Sequence, residues 1–315
     1  MVNMAKKRKL KKPIKGCLTF ILTIVILIAL GAGAMYAYGM LKIVPDRTDS
    51  SYAYRDDRIN VLILGTDQGA ADDVGRADSL MVANVDLENK QVNILSLPRD
   101  SRVPIPGHDK NKINHSYAYG GLDLTKQTVE DLLGIPIDYY AITNFEGFEN
   151  IVKILGGVDL YVEKDMSAHT YYGDIDLKEG EQHLDPMQAL GYVRYRYDAM
   201  GDVARAGRQQ KFMKSVFEES MKPKNLTKLP ALIDKIDDVV ETDLTKAQLL
   251  YLGFTFRGVQ SSTDVHTAVP ECSFETIGGV SYVILDEDDL AELVQTMFQD
   301  DYDPAYWASK AAEEE

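Results

Sequence analysis

The sequence predicts an α/β fold: a central mixed β-sheet flanked by helices on both sides, preceded by a single N-terminal transmembrane helix. Residues 17–41 form an uncharged stretch that is long enough to span a bilayer. Residues 58–65 (RINVLILG) are a Val/Leu/Ile run that ends in glycine, which is typical of a strand buried on both faces. Further runs of strand length then alternate with helical patterns, which indicates one α/β domain.

The N-terminus predicts the orientation in the membrane. Residues 1–16 carry seven basic side chains and no acidic one, so they are expected to be a cytoplasmic tail. The chain after Leu41 is then outside the cell. A cleaved signal peptide is the alternative, because Ala32-Gly33-Ala34 resembles a cleavage site. The apolar stretch continues through Met35 to Leu41, which favours a membrane anchor.

Composition divides the rest of the chain and excludes one class of partner. Residues 42–57 are polar and predict a juxtamembrane linker, residues 58–299 predict the exterior domain, and residues 300–315 predict an acidic tail. The first 45 residues hold eight basic side chains and no acidic one, so with a chain net charge of -15 the other 270 residues carry -23. Such an acidic domain argues against nucleic-acid binding. Two cysteines do not build a disulfide framework.

Charged residues follow the first predicted strands. Strands are expected at 58–65, 79–86 and 90–97; Asp67 follows the first and Arg99 the third, while the intervening loop holds Arg76 and Asp78. Ligand sites of open α/β sheets gather at the carboxyl ends of strands. We therefore expect these four side chains to lie near one ligand.

The rest of the sequence gives only approximate bounds for the other elements. Residues 165–181 are polar and predict a loop. The other expected strands are 138–143, 158–163, 264–270 and 279–284, and the expected helices are 122–133, 145–155, a short one from 186, 207–221, 228–240, 244–256 and 286–299.

Four arginines lie within fifteen residues of this acidic chain: Arg194, Arg196, Arg205 and Arg208. If residues 192–197 are extended, Arg194 and Arg196 share one face. Gly201-Asp202 is then expected to be a turn and N-cap, after which Arg205 and Gln209 share a helix face near the positive end of the dipole. Guanidinium groups match phosphate oxygens, so a phosphate site is predicted. Surface ion pairing is the alternative, although it does not explain the clustering.

Two aspartates predict a metal beside that phosphate. Asp67 and Asp78 are hard oxygen ligands of the kind Mg²⁺ accepts, with Mn²⁺ as an alternative. Asp72 and Asp73 lie in the same loop and compete for the role. The alternative is that these aspartates only form turns.

Large apolar residues are abundant in the later helices. Most of them are expected in the core, and a subset is a candidate lining for a lipid groove. The residues in question are Phe212, Met213, Phe217, Leu229, Leu232, Ile233, Ile236, Leu249, Leu250 and Leu252.

Six motifs in order resemble the LytR-CpsA-Psr proteins, and the resemblance covers about residues 58–222. They are NVLILGTDQ at 60–68, GRADS at 75–79, LSLPRDSRV at 95–103, KINHSYAYGG at 112–121, GGVD at 156–159, and ALGYVRYR with GDVARAGRQQ at 189–196 and 201–210.

The resemblance implies an α/β enzyme in the cell membrane of a Gram-positive-type envelope. It implies transfer of an anionic glycopolymer, such as teichoic acid or capsule, from a polyprenyl-pyrophosphate carrier to peptidoglycan, forming a phosphodiester with Mg²⁺ assistance. Carried over by motif, the metal-associated carboxylates are Asp67 and Asp78. The pyrophosphate-binding residues are Arg99, Arg194, Arg196, Arg205 and Gln209, with Arg76 and Arg208 as second candidates.

The sequence gives alternatives for two assignments, the base of the acceptor hydroxyl and the function. The base for the acceptor hydroxyl is expected to be Asp67 or Asp100, although Asp100 is equally expected to be a structural partner of Arg99. The alternative functions are a non-catalytic sensor or carrier that binds the lipid pyrophosphate, and a pyrophosphatase. A pure binder has little reason to keep two carboxylates beside phosphate, which favours the transferase.

Overall fold

The structure is a computed structural model that describes residues 33, 36–39, 43, 57–66, 75–170, 173–197, 201–226 and 233–313. The predicted tail 1–16, most of the predicted membrane helix 17–41, and the loop that holds Asp67, Asp72 and Asp73 lie outside these residues. Within the described ranges, none of the helices combines the length and apolar character needed to cross a bilayer.

A six-stranded mixed sheet forms the centre of the domain, as the sequence predicted. β1 runs antiparallel to β2 and parallel to β6, β2 runs antiparallel to β3, and β3 runs parallel to β12. Across the sheet the strands are β11 (Glu241–Thr242), β6 (Tyr139–Thr143), β1 (Arg58–Thr66), β2 (Ala77–Asp86), β3 (Gln91–Leu97) and β12 (Val265–Ala268).

The strand directions bring several chain ends to one edge of the sheet. β1, β3, β6 and β12 all point the same way, so their carboxyl ends lie at one edge together with the amino end of β2. Residues that follow β1, β3 and β6, or that begin β2, therefore come close together despite their separation in sequence.

Helices cover both faces of the sheet because apolar residues on β1 and β2 point alternately to either side. Leu62 and Leu80 belong to a core with the helices α1 (His115–Leu133) and α8 (Glu287–Phe298). Val61 and Met81 face the opposite way. There they pack with α4 (Gly201–Met221) and α6 (Lys246–Thr255).

A second core lies beside the sheet and supports the later arginines. Its centre includes Leu160, Leu177, Tyr192 and Phe212. It is built from α4, the helices α2 (Phe145–Leu155) and α3 (Pro186–Arg194), and two strand pairs: β7 (Val158–Val162) with β10 (Gly180–Leu184), and β8 (Met166–Thr170) with β9 (Gly173–Leu177).

The remaining elements are short. They are the hairpins β4 (Arg102–Ile105) with β5 (His108–Lys112) and β13 (Cys272–Ile277) with β14 (Val280–Leu285), the helices α5 (Pro223–Leu226), α7 (Ser261–Asp264) and α9 (Pro304–Glu313), and 3-10 turns at Ile236–Asp238 and Gln299–Asp301.

The prediction of a loop at 165–181 was wrong, because this stretch contains β8 and β9. Their register pairs Met166 with Leu177 and Ala168 with Ile175. Met166, Ile175 and Leu177 are buried in the second core, while the other residues of β8 and β9 are exposed or half-buried. The polar residues are the outward half of an alternating strand pattern.

Residues 192–194 are helical, so the extended conformation predicted for 192–197 was wrong at its start. Asp185 accepts a hydrogen bond from the Gln188 amide, the Gln188 side chain caps in return, and Pro186 occupies the first turn. This capping box starts α3 and carries the helix through to Arg194. The next helix, α4, already includes Gly201, so Asp202 lies within it and is not its N-cap.

Both predicted segments that flank the domain contribute to its core. Ile43, in the predicted linker 42–57, is only 1% exposed. In the predicted tail 300–315, residues 304–313 form α9, and Trp307 of this helix packs into the core on the α1 side of the sheet. The domain therefore uses residues on both sides of the predicted 58–299 range.

We expect Trp307→Ala to lower the free energy of unfolding of the full chain in detergent by about 3–5 kcal/mol, because it leaves a large cavity in the core. Far-ultraviolet circular dichroism during urea titration measures this change. Ser309→Ala on the same helix is the matched control, and we expect a change within about 0.5 kcal/mol. Equal stability of the two variants would show that α9 does not contribute to the core.

Candidate functional site

A cavity of about 430 Å³ opens at the sheet edge where the strand ends meet. Gly65 and Thr66 at the end of β1 line it, as do Asp78 from the start of β2 and Arg99, which follows β3. Thr143, the last residue of β6, lines it with the next two residues, Asn144 and Phe145, as do residues of α3, of α4 and of the chain after α3.

Five of the predicted phosphate-binding residues line this one cavity: Arg99, Arg194, Arg196, Arg205 and Gln209. The guanidinium carbon of Arg194 lies 4.7 Å from the centre of the Phe145 ring, which holds it by a cation–π contact. Arg205 is 7% exposed, and Gln209, one turn later on α4, donates a hydrogen bond of 3.5 Å to the Val193 carbonyl.

A β-bulge aims Asp78 at the arginines. Between β1 and β2 the register shifts from Gly65 opposite Ser79 to Thr66 opposite Ala77, so Asp78 is the extra residue. Its carboxylate forms an ion pair with Arg99, and both side chains stay partly accessible, at 26% and 19%. Among the described residues that line the cavity there are four arginines and one aspartate, a formal charge of +3 in a chain of -15.

The predicted metal pair is only half described. Asp67 lies outside the described residues, but Thr66, immediately before it, is buried in the cavity wall. The described part of the chain contains no group of three His, Cys, Asp or Glu side chains able to hold a metal ion. One or two carboxylates, completed by phosphate oxygens and water, is the donor set that Mg²⁺ accepts, so Asp78 fits a metal that arrives with a phosphate ligand.

Arg208, a second candidate for pyrophosphate binding, does not line the cavity. Its side chain is 4% exposed, its guanidinium donates to the Tyr195 carbonyl, and it lies 3.5 Å from the Glu163 carboxylate. Burial raises the pKa of Glu163, but a backbone amide, the Tyr192 hydroxyl, Lys211 and Arg208 together outweigh burial and hold this pKa below its usual value. Arg208 thus fixes the turn that carries Arg194 and Arg196.

Arg76 and Asp100 also lie outside the cavity lining. Arg76 is exposed beside His115, where burial and then the charges of Arg76 and Lys112 lower the histidine pKa. The Asp100 carboxylate forms a 3.0 Å ion pair with Lys112. Its expected role as a base is therefore not supported by its position.

Apolar residues also line the cavity. Of the helix residues proposed as a lipid groove, Phe212 and Met213 line it, whereas Phe217 and Leu252 pack with the core beneath the sheet. The other apolar lining residues are Ile63, Leu64, Met81, Phe145, Phe148, Leu190 and Val193. The cavity therefore joins a cationic region to an apolar one.

Sequence reasoning missed His169 and Thr170, which reach the cavity from the β8–β9 hairpin. The Nδ1 atom of His169 lies 2.8 Å from a carboxylate oxygen of Asp174 across the hairpin. This hydrogen bond, with the charge of Asp174, raises the pKa of His169. The alternating apolar residues of this stretch were the signal for the strands, and no motif marked the histidine itself.

Known proteins are similar to this chain in sequence and fold. Regulatory protein MsrR of Staphylococcus aureus (strain COL) is 35% identical over 246 residues, which cover 78% of this chain and 74% of MsrR. The polyisoprenyl-teichoic acid–peptidoglycan teichoic acid transferase TagU of Bacillus mycoides (strain KBAB4) is 31% identical over 287 residues, which cover 85% of this chain and 92% of TagU.

Solved structures agree with the sequence comparison. TagV of B. subtilis superimposes with a TM-score of 0.72 at 31% identity, covering 80% of this chain and 100% of TagV. TagT bound to LI-WTA superimposes with a TM-score of 0.68 at 28% identity, covering 80% of this chain and 95% of TagT. The profile of the LytR_cpsA_psr family matches residues 41–299. The chain therefore belongs to the LytR-CpsA-Psr family.

Proposed function

We propose that this chain is a membrane-anchored phosphotransferase. It moves an anionic glycopolymer, such as a teichoic acid or capsule, from a polyprenyl-pyrophosphate carrier to a peptidoglycan hydroxyl and forms a phosphodiester. The observation that carries the proposal is the joining of four arginines and an apolar wall in one cavity. The cationic region suits a pyrophosphate, and the apolar wall suits the polyprenyl tail.

The comparisons support the same chemistry. TagU is named as a teichoic acid transferase with peptidoglycan as acceptor, and TagT has been solved with LI-WTA bound. A non-catalytic carrier would use the same arginines. Asp78 favours the transferase, because a carboxylate in the cavity wall weakens the attraction for phosphate unless it has a task in the reaction.

In the proposed reaction, the acceptor hydroxyl oxygen bonds to the phosphorus that carries the glycopolymer. The bond from that phosphorus to the bridging oxygen breaks, and polyprenyl monophosphate leaves with the electron pair. Arg99, Arg194, Arg196 and Arg205 neutralise charge on the transferred and leaving phosphates.

We assign metal binding to Asp78 and Asp67. When bound, Mg²⁺, or Mn²⁺ in its place, stabilises negative charge on the phosphate oxygens. Asp78 remains tied to Arg99 through its carboxylate, which orients one side of the ligand set.

The acceptor proton needs a base, and His169 is our candidate in place of Asp100. His169 lies at the cavity edge, where its side chain is 93% exposed, and its Nδ1 is held by Asp174, which leaves Nε2 for the substrate. Among the described residues, the charged groups that share the cavity with this histidine are Arg99, Arg194, Arg196, Arg205 and Asp78. Asp67 remains the other candidate.

Transfer is tested with the full chain in detergent, a short lipid-pyrophosphate-linked glycan and peptidoglycan oligomers. We expect joined product by mass spectrometry with Mg²⁺ and none with a chelator. Arg196→Ala should reduce the rate by roughly 10²-fold or more, because it removes charge stabilisation. Lys126→Ala, on the surface of α1, is the control and should be active. Tight lipid binding with neither product nor released phosphate would support the carrier, and release of phosphate to water would support a pyrophosphatase.

We expect Arg196→Ala and Arg208→Ala to differ in their effect on the free energy of unfolding. We expect Arg208→Ala to lower the free energy of unfolding by about 2 kcal/mol, because it leaves the Tyr195 carbonyl without a charged donor and removes one of the two charged partners of Glu163. Arg196 is exposed, so Arg196→Ala should change stability by less than about 0.5 kcal/mol. Urea titration gives both values. If the Arg208→Ala variant kept its stability but lost transfer, Arg208 would be assigned to the phosphate-binding site.

The pH profile tests His169. A histidine acts as a base only when unprotonated, so the transfer rate should rise with pH through the His169 pKa. Asp174 raises this pKa, so Asp174→Asn should move the rise to lower pH. His169→Gln should remove the rise and slow transfer by roughly 10²-fold. An unchanged profile in both variants would leave Asp67 as the base.

A further inference from the structure

The last part of the predicted membrane helix packs against α6 of the exterior domain. Residues 36–39 are helical, and the ring of Tyr36 lies 5.2 Å from the ring of Tyr251 and 6.3 Å from that of Phe254. Both partner rings belong to α6.

Two further contacts fix this segment to the domain. Gly39 is buried against α6, so closely that an added Cβ would lie 2.3 Å from the Ala247 carbonyl oxygen. The Ile43 carbonyl accepts a 2.6 Å hydrogen bond from the Tyr139 hydroxyl, which also accepts one of 2.8 Å from Gln248 on α6. The chain is therefore attached to the domain from residue 36 onward, before the predicted span has ended.

The dimensions of a helix give the depth of Tyr36 in the bilayer. The predicted span 17–41 is about 37 Å long at 1.5 Å per residue, and the apolar core of a bilayer is about 30 Å thick. Tyr36 lies five residues before the outer end, about 7.5 Å lower along the helix. With the span centred on the bilayer, its outer end extends about 3.5 Å beyond the apolar core, and Tyr36 lies about 4 Å inside the edge of that core. A residue that contacts Tyr36 is then at the boundary between the apolar core and the outer headgroups.

The side chains at this level are those that membranes favour. Tyr38, Phe254 and Tyr36 are 55%, 45% and 37% exposed, which is unusual for aromatic rings grouped in one place. Aromatic side chains are enriched where proteins meet the headgroup region. Arg257, which follows α6, is exposed beside them and carries a charge suited to phosphate headgroups.

We propose that Tyr36, Tyr38 and Phe254 form a membrane seat, a surface by which the exterior domain rests in the outer headgroup layer with α6 against the bilayer. The proposal rests on the membrane anchoring in the proposed function and deepens it. The domain is then held in one orientation on the membrane and does not move freely on a flexible linker.

The seat also sets the side from which the lipid carrier reaches the cavity. Tyr251 of α6 belongs to the same apolar cluster as Met81, Ile63 and Met213, and these three residues line the apolar wall of the cavity. Part of the apolar lining of the cavity therefore belongs to the cluster on the α6 side of the sheet. In the seated domain this side faces the bilayer that holds the lipid carrier.

The test uses the full chain in phosphatidylcholine vesicles whose acyl chains are brominated near the headgroup, because bromine quenches nearby tryptophan fluorescence. Three single variants report different places: Phe254→Trp on the seat, Phe274→Trp on β13 as a comparably exposed control, and Phe20→Trp near the inner end of the predicted span. The unmodified chain, with its buried Trp307, supplies the background signal.

We expect quenching of Phe254→Trp and Phe20→Trp relative to unbrominated vesicles, and no loss of signal from Phe274→Trp. Quenching of Phe20→Trp alone would leave the anchor standing and overturn the seat. No quenching of either would overturn membrane anchoring and the seat with it. Equal quenching of Phe274→Trp would show general surface adsorption and would also overturn the seat.

Discussion

Holding four guanidinium groups around one cavity is the constraint on which the rest of this structure depends. Like charges repel, so each group needs an independent support. Arg194 rests on the Phe145 ring, Arg99 pairs with Asp78, and Arg205 is fixed within α4. The turn after α3 is tied by Arg208 to Glu163. Because these supports come from both cores, the cavity is preorganised before any phosphate enters it.

Local patterns predicted much of the fold, and long-range packing supplied the rest. A Val/Leu/Ile run that ends in glycine predicted β1, and the helix predicted at 145–155 has the bounds of α2. No local signal in the sequence shows that Arg99 and Arg194 line one cavity, because they are far apart along the chain. Arg208 was grouped with the cavity residues because they are its neighbours in sequence, whereas its partner Glu163 lies elsewhere in the chain.

The errors in secondary structure have physical causes. Polar residues dominate 165–181, although Met166, Ile175 and Leu177 are the buried side of a hairpin that brings His169 to the cavity. At 192–194 the alternation of Arg and Tyr suggested a strand, but these residues are the end of α3, which begins at the capping box of Asp185. A helix start therefore has to be weighed against a short periodic signal that follows it.

The charge of the domain is compatible with its proposed position at the membrane. Residues 46–315 carry a sequence net charge of -23, which repels an anionic polymer and anionic headgroups over most of the surface. The described residues that line the cavity reverse that sign, with a formal charge of +3, which favours a phosphate ligand there. A seat made of aromatic rings needs no positive surface to hold the domain on the bilayer, because burial of apolar area supplies the attraction. The arginines can then be reserved for the phosphates of the donor.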